Sequence, residues 1–433
     1  MIQRYITARL LAALADTPVV VLQGARQTGK STLAQQISEV YHPSLYLTMD
    51  NITTLIAAQQ DPVGFLQGLR GQDVILDEIQ RVPELFLPLK AEVDRERRSG
   101  RFLLTGSANA LLVPHLAETL VGRLEVLTLW PLSQVEIAQS EIAQSKYSPN
   151  ELAAEQTSGQ EQGFLGIAFA QEPLPVKQYV TDRSDVIARA LRGGYPEAVA
   201  RTSEERRLDW FDAYVTTLLQ RDVRDLAQIQ GLSELPRLLS LVAAQSTAVL
   251  NASDLARSAG MALTTLNRYL TLLQATFLVQ QIPAWSTNLS KRVVKSPKLL
   301  LTDTGILAAL TGMSTGQFET TPALVGMLIE NFVGMELLKL LSWSSRRLQL
   351  FHFRTHDRKE VDFLLQDRMG GIVGMEVKAA SAVQQTDFRG LQALAEIAGS
   401  HFVNGFVFYT GDTLLPFGEH MYAVPIAALW EQP

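Results

Sequence analysis

The sequence predicts an α/β protein of several domains, the first of which is a doubly wound domain with a parallel sheet. Its 433 residues correspond to about three domains at the usual ~150 residues each. Hydrophobic residues make up 47% of the chain and charged residues 19%, which is enough for several buried cores. Within residues 1–135, short apolar segments alternate with helix-length stretches, as in a parallel sheet covered on both faces. The predicted strands are Pro18–Gln23, Leu45–Met49, Val74–Leu76, Phe102–Leu104 and Leu124–Leu129.

Composition excludes several classes of function. The chain has 38 Lys+Arg and 44 Asp+Glu, a net charge of −6, so contact with nucleic acid would need a local basic patch. It has no cysteine, which excludes disulfides, Cys-ligated zinc, iron–sulfur clusters and thiol catalysis. No apolar run approaches the ~18 residues of a membrane span, and Asp16 interrupts the apolar stretch where a signal peptide would lie. We therefore expect a cytoplasmic protein without a membrane partner.

The pattern changes several times beyond the first domain. An insertion repeats EIAQS and is rich in Gln, Ser, Ala and Gly, which predicts a flexible segment. A helical stretch broken at GGYP follows, then a small helical module with a hairpin, and finally a C-terminal α/β domain that begins near a long helix at 324–343. The predicted boundaries are 1–135, 136–180, 181–247, 248–305 and 306–433.

A phosphate-binding loop follows the first predicted strand. Gly24-Ala25-Arg26-Gln27-Thr28-Gly29-Lys30-Ser31 matches G-x-x-x-x-G-K-[ST], with Thr32 continuing into a helix. A glycine-rich turn lets successive backbone N–H groups converge on phosphate oxygens, and the helix adds its positive N-terminal end. Lys30 would reach the β- and γ-phosphates, and the Ser31 hydroxyl would ligate Mg²⁺. The motif predicts binding of ATP with Mg²⁺.

A carboxylate pair ends the third predicted strand, VILDE. Asp77 is placed to hold Mg²⁺ through water, and Glu78 to polarise the water that attacks the γ-phosphate. On the next strand, Thr105 and Ser107 could orient that water, or simply cap the following helix. Arg123 could neutralise transition-state charge in a neighbouring subunit, or complement the dipole of the helix that it follows.

These segments together resemble a known family. The strings GARQTGKST, VILDEIQRVPELFLPLKAEVD, LLTGSAN and GRLEVLTLWPLS are similar to prokaryotic AAA ATPases related to the archaeal ATPase and STAND groups. Members typically carry a C-terminal domain of unknown function with a restriction-endonuclease-like fold. The resemblance extends through GGYPEA (193–198) and LLQRDV (218–223), and residues 136–180 depart from it.

The resemblance carries implications for individual residues. Arg123 falls at the position of the family's inter-subunit arginine finger, which implies a homo-oligomer, with a hexameric ring as one form. Residues 181–247 correspond to a helical lid, in which Arg192 would contact the γ-phosphate and Pro196 the adenine. The end of a helix followed by a turn remains an alternative explanation of GGYP.

A DNA-binding module is the prediction for residues 248–305. A short helix, a turn at Gly260 and a longer helix have helix-turn-helix spacing, and the hairpin after them resembles the wing of a winged helix. Polar residues that could face a groove are Thr264, Thr265, Asn267 and Arg268, and basic residues that could meet phosphates are Lys291, Arg292, Lys295 and Lys298. A module used only for protein contacts is the alternative.

A nuclease-like carboxylate set is the prediction for the C-terminal domain. KEVDFLL and GMEVKAA predict two strands joined across Gly370-Gly371, which would bring Asp362 towards Glu376 and Lys378. This arrangement resembles PD-(D/E)xK nucleases, with Glu330 as an additional ligand of a divalent metal. The alternative is a solvated sheet edge without activity.

Three hypotheses for function remain at this point. The first is a Mg²⁺-dependent AAA ATPase that couples hydrolysis to DNA binding or remodelling, such as translocation or branch migration. The second is an ATP-gated nuclease in defence or mobile-element biology. The third is a nucleotide-dependent scaffold for signalling that binds only protein partners.

Overall fold

The chain divides into two compact units. One consists of Gln3–Leu132 with Thr271–Leu278, and the other of Ser133–Leu270 and Val279–Pro433 with Met1–Ile2. The computed structural model describes residues 2–107, 120, 122–146, 163–227, 234–288, 292, 295–317, 321–357 and 359–431. Across those described ranges, no helix combines the length and apolarity needed to traverse a bilayer.

The first unit contains the parallel sheet that the sequence predicts. Its strands are β1 (Val19–Gln23), β2 (Leu45–Thr48), β3 (Val74–Asp77), β4 (Phe102–Gly106) and β5 (Leu124–Thr128). They lie in the order β2-β3-β4-β1-β5, and every pair is parallel. The central strands β1, β3 and β4 are buried along their whole length. Their uniformly apolar sequences therefore match a sheet covered on both faces.

The helices of the first unit cover this sheet. They are α1 (Ile6–Asp16), α2 (Lys30–Gln36), α3 (Ile52–Gln60), α4 (Pro62–Gly68) and α5 (Phe86–Arg95). Alternate residues of the strands, such as Val19, Val21 and Leu76, share one hydrophobic core with Leu89 and Val93 of α5. The side chains of Asn51 and Asp61 cap α3 and α4 by accepting hydrogen bonds from backbone N–H groups.

The register of the sheet brings the carboxyl ends of β1, β3 and β4 to one edge. Gln23 pairs with Gly106, and Leu76 pairs with Leu104, so Asp77 and Thr105 end adjacent strands. The chain leaves β1 through the glycine-rich loop and enters α2 at Lys30. The predicted phosphate loop, carboxylate pair and polar strand end therefore meet at this edge.

The second unit is largely helical in its first half. Its helices are α6 (Gln134–Lys146), α7 (Phe164–Ala168), α8 (Arg183–Arg192), α9 (Pro196–Val199), α10 (Glu204–Ala227), α11 (Leu235–Ala244), α12 (Ala252–Ala259), α13 (Leu263–Ala275), α14 (Thr304–Thr311), α15 (Pro322–Trp343) and α16 (Arg389–Ala398). The last residues of α13 belong to the first unit. α8 to α11 lie where the sequence predicts helices.

The predicted flexible insertion at 136–180 differs from the structure at both of its ends. α6 begins at Gln134, where Ser133 and Glu136 exchange hydrogen bonds in a capping box and the Gln134 N–H donates to Glu336 at 2.8 Å. In α7, the ring of Phe164 packs against Phe408 with ring centroids 5.0 Å apart. These contacts give both ends a fixed place, and the middle of the insertion lies outside the described residues.

The region predicted as a DNA-binding module has two consecutive helices followed by two antiparallel strands. Asn251 caps α12, which ends at Gly260 in the left-handed conformation (φ +72°), and α13 follows. β7 (Val279–Ile282) and β8 (Lys298–Leu301) then pair antiparallel. The helix-turn-helix spacing expected from the sequence is therefore present.

A mixed sheet forms the C-terminal part of the second unit. Its strands are β6 (Lys177–Gln178), β9 (Gln349–Arg354), β10 (Glu360–Gln366), β11 (Ile372–Val377), β12 (Phe402–Tyr409), β13 (Thr413–Gly418) and β14 (Met421–Pro425). Their order is β6-β13-β14-β12-β11-β10-β9. β10 and β11 form the predicted hairpin across Gly370-Gly371, and α16 connects β11 to the parallel strand β12. β6, which the sequence places in the insertion, pairs with β13.

Candidate functional site

The loop between β1 and α2 forms a cradle of backbone. A Cβ atom on Gly24 would lie 2.2 Å from the carbonyl oxygen of Leu129, so only glycine fits there. Gly29 has φ +95°, in the left-handed region, and immediately precedes α2. Gln27 and Thr32 are exposed and Arg26 is half-buried. The loop therefore has the close approach and the helix start that a phosphate-binding turn needs.

Lys30 and Arg4 hold the loop from two sides. The Lys30 ammonium is buried and donates to the carbonyl oxygen of Ala25 at 2.8 Å. The Thr28 hydroxyl donates to the same carbonyl at 2.9 Å. Arg4 donates to the carbonyl oxygens of Thr28 at 2.6 Å and Trp130 at 2.7 Å. These bonds use carbonyl oxygens of the loop and of Trp130 as acceptors.

Three neutral hydroxyl groups surround Asp77. Ser31 Oγ lies 3.0 Å from Asp77 Oδ1, Thr105 Oγ1 2.5 Å from the same oxygen, and Tyr46 OH 2.8 Å from Asp77 Oδ2. Burial, together with the hydrogen bond to Asp77, raises the pKa of Tyr46. The structure thus brings Ser31 and Asp77 together as the sequence predicts, and adds Tyr46 from the neighbouring strand.

Glu78 is held in an unusual backbone conformation beside Asp77. Its φ of +58° is left-handed, and its backbone N–H donates to Thr105 Oγ1 at 3.1 Å. Gln80 donates to Glu78 Oε2 at 2.5 Å, and Ser107 lies 3.5 Å from the same oxygen. Thr105 therefore fixes the two acidic residues, whereas Ser107 lies beside the Glu78 carboxylate.

Arg123 and the predicted lid residues have partners of their own. Arg123 donates to the carboxylate of Asp94 on α5. Arg192, at the end of α8, donates to Glu141 at 3.4 Å, and burial lowers its pKa. Pro196 is the first residue of α9. Arg192 and Pro196 belong to the second unit, so their roles towards a nucleotide remain predictions.

The structure agrees with only part of the predicted DNA-facing set. Thr264, Asn267 and Arg268 are exposed on α13, and Thr265 is half-buried. Lys295 is also exposed, and Lys291 lies outside the described residues.

Two of the predicted basic residues make contacts within the second unit, and one of them is buried. Arg292 donates to Gln366 at 2.9 Å, and its guanidinium lies 5.4 Å from the ring of Trp285. Lys298 is buried, with 5% of its surface exposed. The prediction that Lys298 faces DNA is therefore wrong, because its charge is buried and paired with Glu330 and Asp362. The role of Arg292, which is partly exposed, stays a prediction.

The C-terminal carboxylates meet as the sequence predicts, but around a lysine. Lys298 Nζ lies 2.5 Å from Glu330 Oε1 and 3.1 Å from Asp362 Oδ1. Lys378 pairs with Glu376 at 2.9 Å. Burial and the charge of Asp362 raise the pKa of Glu330 to about 7 and that of Glu376 to about 8.

A second lysine, which the sequence analysis did not place here, lies among the carboxylates of the predicted metal site. The ammonium of Lys298 lies between Glu330 and Asp362, two of the three carboxylates that the prediction assigned to a divalent metal. Within the described part of the chain, no group of three or more His, Asp or Glu side chains is arranged to hold a metal ion. The period-2 pattern predicted the carboxylates correctly but gave no sign that β8 would supply a neutralising cation.

The residues at the first site fit Mg²⁺ and a nucleoside triphosphate. Magnesium prefers oxygen ligands and is usually bound by one or two carboxylates with substrate phosphates. Ser31 and Asp77 offer a hydroxyl and a carboxylate 3.0 Å apart at the start of α2, beside the cradle at Gly24. These two residues would hold the ion, and the loop would hold the phosphates.

Sequence reasoning missed three residues of this site. Arg4 precedes the first helix, Tyr46 lies in β2, and Gln80 follows the carboxylate pair by two residues. Tyr46 could have been predicted, because it is a polar residue on the strand next to the one that ends at Asp77. The positions of Arg4 and Gln80 depend on turns whose paths the sequence does not specify.

Fold and site together define a P-loop ATPase of the AAA class. An AAA domain model matches residues 16–138, a domain of unknown function (DUF8612) matches 183–317 and another (DUF4143) matches 325–429. The chain is 30% identical over 425 residues to uncharacterized proteins of Mycobacterium tuberculosis and Mycobacterium bovis. The alignment covers 98% of this chain and 83% of each relative. The chain belongs to this family of AAA ATPases with a C-terminal domain of unknown function.

Two solved structures are also similar to the chain. A RuvB variant of Thermotoga maritima is 18% identical, with a TM-score of 0.29, over 64% of this chain and 89% of that one. A Signal Transduction ATPase with Numerous Domains (STAND) from Pyrococcus horikoshii, with a tetratricopeptide repeat sensor, is 11% identical. Its TM-score is 0.23, over 78% of this chain and 46% of that one.

Proposed function

We propose that the protein is a Mg²⁺-dependent ATPase that uses Lys30, Ser31, Asp77 and Glu78. The observation that carries this proposal is the 3.0 Å approach of Ser31 Oγ to Asp77 Oδ1 at the mouth of the phosphate loop. When bound, Mg²⁺ neutralises charge on the phosphates. Lys30 exchanges its bond to the Ala25 carbonyl for one to a phosphate oxygen, which needs only a movement of its ammonium.

Hydrolysis by such a site depends on positioning and charge. Glu78 lies next to Asp77, and its carboxylate accepts a proton from the attacking water. The hydrogen bond from the Glu78 N–H to Thr105 fixes this part of the backbone before substrate arrives. The chain therefore supplies a positioned base next to the residue that would hold Mg²⁺.

Replacement of Lys30 by alanine tests this proposal. Loss of the ammonium should reduce phosphate release from ATP by about 100-fold or more, because transition-state charge loses a fixed cation. Lys90→Ala, at the other lysine of the first unit, is the matched control and should retain turnover. Equal turnover in wild type and Lys30→Ala would contradict the proposal.

We also propose that the protein acts as a homo-oligomer, such as a hexameric ring. In this assembly, Arg123 would neutralise transition-state charge at the nucleotide of a neighbouring subunit. Arg123 is half-buried and paired with Asp94, so it would exchange that partner for the neighbour's nucleotide. Arg123→Ala should then reduce turnover by about 1000-fold while ATP still binds. Asp94→Ala, which removes only the local partner, should not. An unchanged rate in Arg123→Ala would mean that Arg123 only forms the ion pair with Asp94.

We further propose that ATP hydrolysis is coupled to DNA binding, and the exposed face of α13 supports this. Thr264, Asn267 and Arg268 are exposed at three- and four-residue spacing, so they share one helix face. Lys295, beyond the helix, is an exposed basic residue of the hairpin. Because Lys298 is buried, we expect a smaller interface than the sequence predicted.

Salt-dependent DNA binding tests this part. Arg268→Ala should weaken duplex binding and reduce the slope of log affinity against log salt by about 1, as for one phosphate contact. Arg206→Ala, an exposed arginine on α10, is the control. Turnover that is unchanged by single-stranded, duplex and branched DNA would contradict coupling and favour a scaffold for proteins.

A further inference from the structure

Gln80 occupies a central place beside the Glu78 carboxylate. Its Nε2 donates to Glu78 Oε2 at 2.5 Å and to Ser107 Oγ at 3.0 Å. A carboxylate can only accept hydrogen bonds, so the amide nitrogen of Gln80 must face Glu78. Its carbonyl oxygen therefore points elsewhere.

That carbonyl oxygen is left without a donor by the part of the chain that the structure describes. Gln80 Oε1 is buried and has no hydrogen-bond partner among the residues that the structure describes. A buried acceptor without a donor costs about 1–3 kcal/mol. It lies over Gly106, where a Cβ atom would come within 3.1 Å of it, so the absence of a side chain there leaves space beside the oxygen.

We propose that Gln80 is a positioning residue for the water that attacks ATP, an inference that rests on the proposed ATPase function. A water molecule has two protons, and directing its lone pair at phosphorus requires an acceptor for each of them. Glu78 provides one acceptor and Gln80 Oε1 the second, while Nε2 of Gln80 holds Glu78 in place. Gln80 thereby couples the orientation of the base to that of the water.

In the proposed hydrolysis step, each bond and each proton can be followed. The water oxygen forms a bond to the γ-phosphorus, and the bond from that phosphorus to the β,γ-bridging oxygen breaks. The bridging oxygen leaves with the electron pair as part of ADP. One water proton passes to the Glu78 carboxylate, and the other remains hydrogen-bonded to Gln80 Oε1 on the new phosphate.

Replacement of Gln80 by methionine tests the inference. Methionine has a similar length, but it has no N–H donor and its thioether sulfur is only a weak acceptor. It therefore removes both the hydrogen bond to Glu78 and the carbonyl acceptor for the water. We expect kcat to fall at least about 10-fold, with KM for ATP, binding of a non-hydrolysable ATP analogue and the thermal unfolding midpoint unchanged. Gln67→Met, at an exposed glutamine on α4, is the matched control. Gln80→Asn, which is one carbon shorter, should also lower kcat and serves if the methionine variant does not fold.

A double-mutant cycle separates positioning from a structural role. In the Glu78→Gln background the water has already lost its base, so Gln80→Met should cause little further loss of kcat. Equal losses in both backgrounds, or wild-type kcat in Gln80→Met, would overturn the inference while leaving the ATPase proposal intact. Failure of the wild-type protein to hydrolyse ATP would overturn both.

Discussion

The two carboxylate sites of this protein differ in the groups that hydrogen-bond to their carboxylates. Around Asp77, the hydrogen-bond donors are the uncharged hydroxyls of Ser31, Tyr46 and Thr105. In the C-terminal domain, Glu330 and Asp362 share the ammonium of Lys298. The first site therefore offers a carboxylate beside neutral hydroxyls to an incoming cation, whereas the second holds a lysine ammonium.

This difference shows why acidic residues at the right spacing do not by themselves make a metal site. A buried charge must be compensated, and either a metal or a lysine can do so. At the C-terminal site, a divalent cation would have to displace an ammonium that is bonded to two carboxylates at 2.5 and 3.1 Å. We therefore do not extend the proposed function to DNA cleavage.

The largest expected effect comes from removing the internal cation. Lys298→Met leaves two buried carboxylates without their partner, which should destabilise the protein by about 3–5 kcal/mol. The measurement is the thermal unfolding midpoint at pH 8. Lys359→Met, at an exposed lysine near Asp357, is the control and should not change the midpoint. A wild-type midpoint in Lys298→Met would contradict internal neutralisation.

A smaller effect is expected from removing one of the three hydroxyl groups that hydrogen-bond to Asp77. Tyr46→Phe removes the hydrogen bond to Asp77 Oδ2 and keeps the ring. Because the partners of a metal-binding carboxylate orient it, we expect the Mg²⁺ concentration for half-maximal ATP turnover to rise about 10-fold. Tyr41→Phe, at a partly exposed tyrosine, is the control. An unchanged Mg²⁺ requirement would mean that Tyr46 does not act through Asp77.

The smallest expected effect is a difference in pH dependence. The folded protein raises the pKa of Glu376 from 4.5 to about 8, so it retains a proton that the unfolded chain releases. Stability contributed by this group is therefore lost as pH rises from about 5 to about 8. Glu376→Gln has no carboxyl proton to lose and should flatten the slope by up to about 1.4 kcal/mol per pH unit, the value for one proton. Parallel slopes in wild type and variant would contradict this assignment.

Much of the first unit could be predicted from sequence because its signals are local. Strands such as β1 and β4 are apolar on both faces, and the phosphate loop places Lys30 and Ser31 by spacing alone. The position of Ser31 beside Asp77 follows from the parallel order of the strands. Gln80 escaped prediction because its role depends on the left-handed turn at Glu78.

The second unit was harder to predict because its contacts are distant along the chain. Lys298 appeared to belong to a basic hairpin, yet its partners Glu330 and Asp362 come from α15 and β10. α6 was missed because its EIAQS repeat lacks an extended apolar stripe, although the Ser133–Glu136 capping box marked its start. Contacts such as Phe164 with Phe408 have no signal in a single sequence.

The most direct test of the nucleotide site compares binding with turnover in wild type and Glu78→Gln. Saturating ATP and Mg²⁺ are supplied to each protein, bound nucleotide is measured by calorimetry, and phosphate release is followed over time. We expect both proteins to bind ATP, with turnover lower by about 100-fold in Glu78→Gln. Failure of the wild-type protein to bind ATP, or equal turnover in the two proteins, would contradict the account.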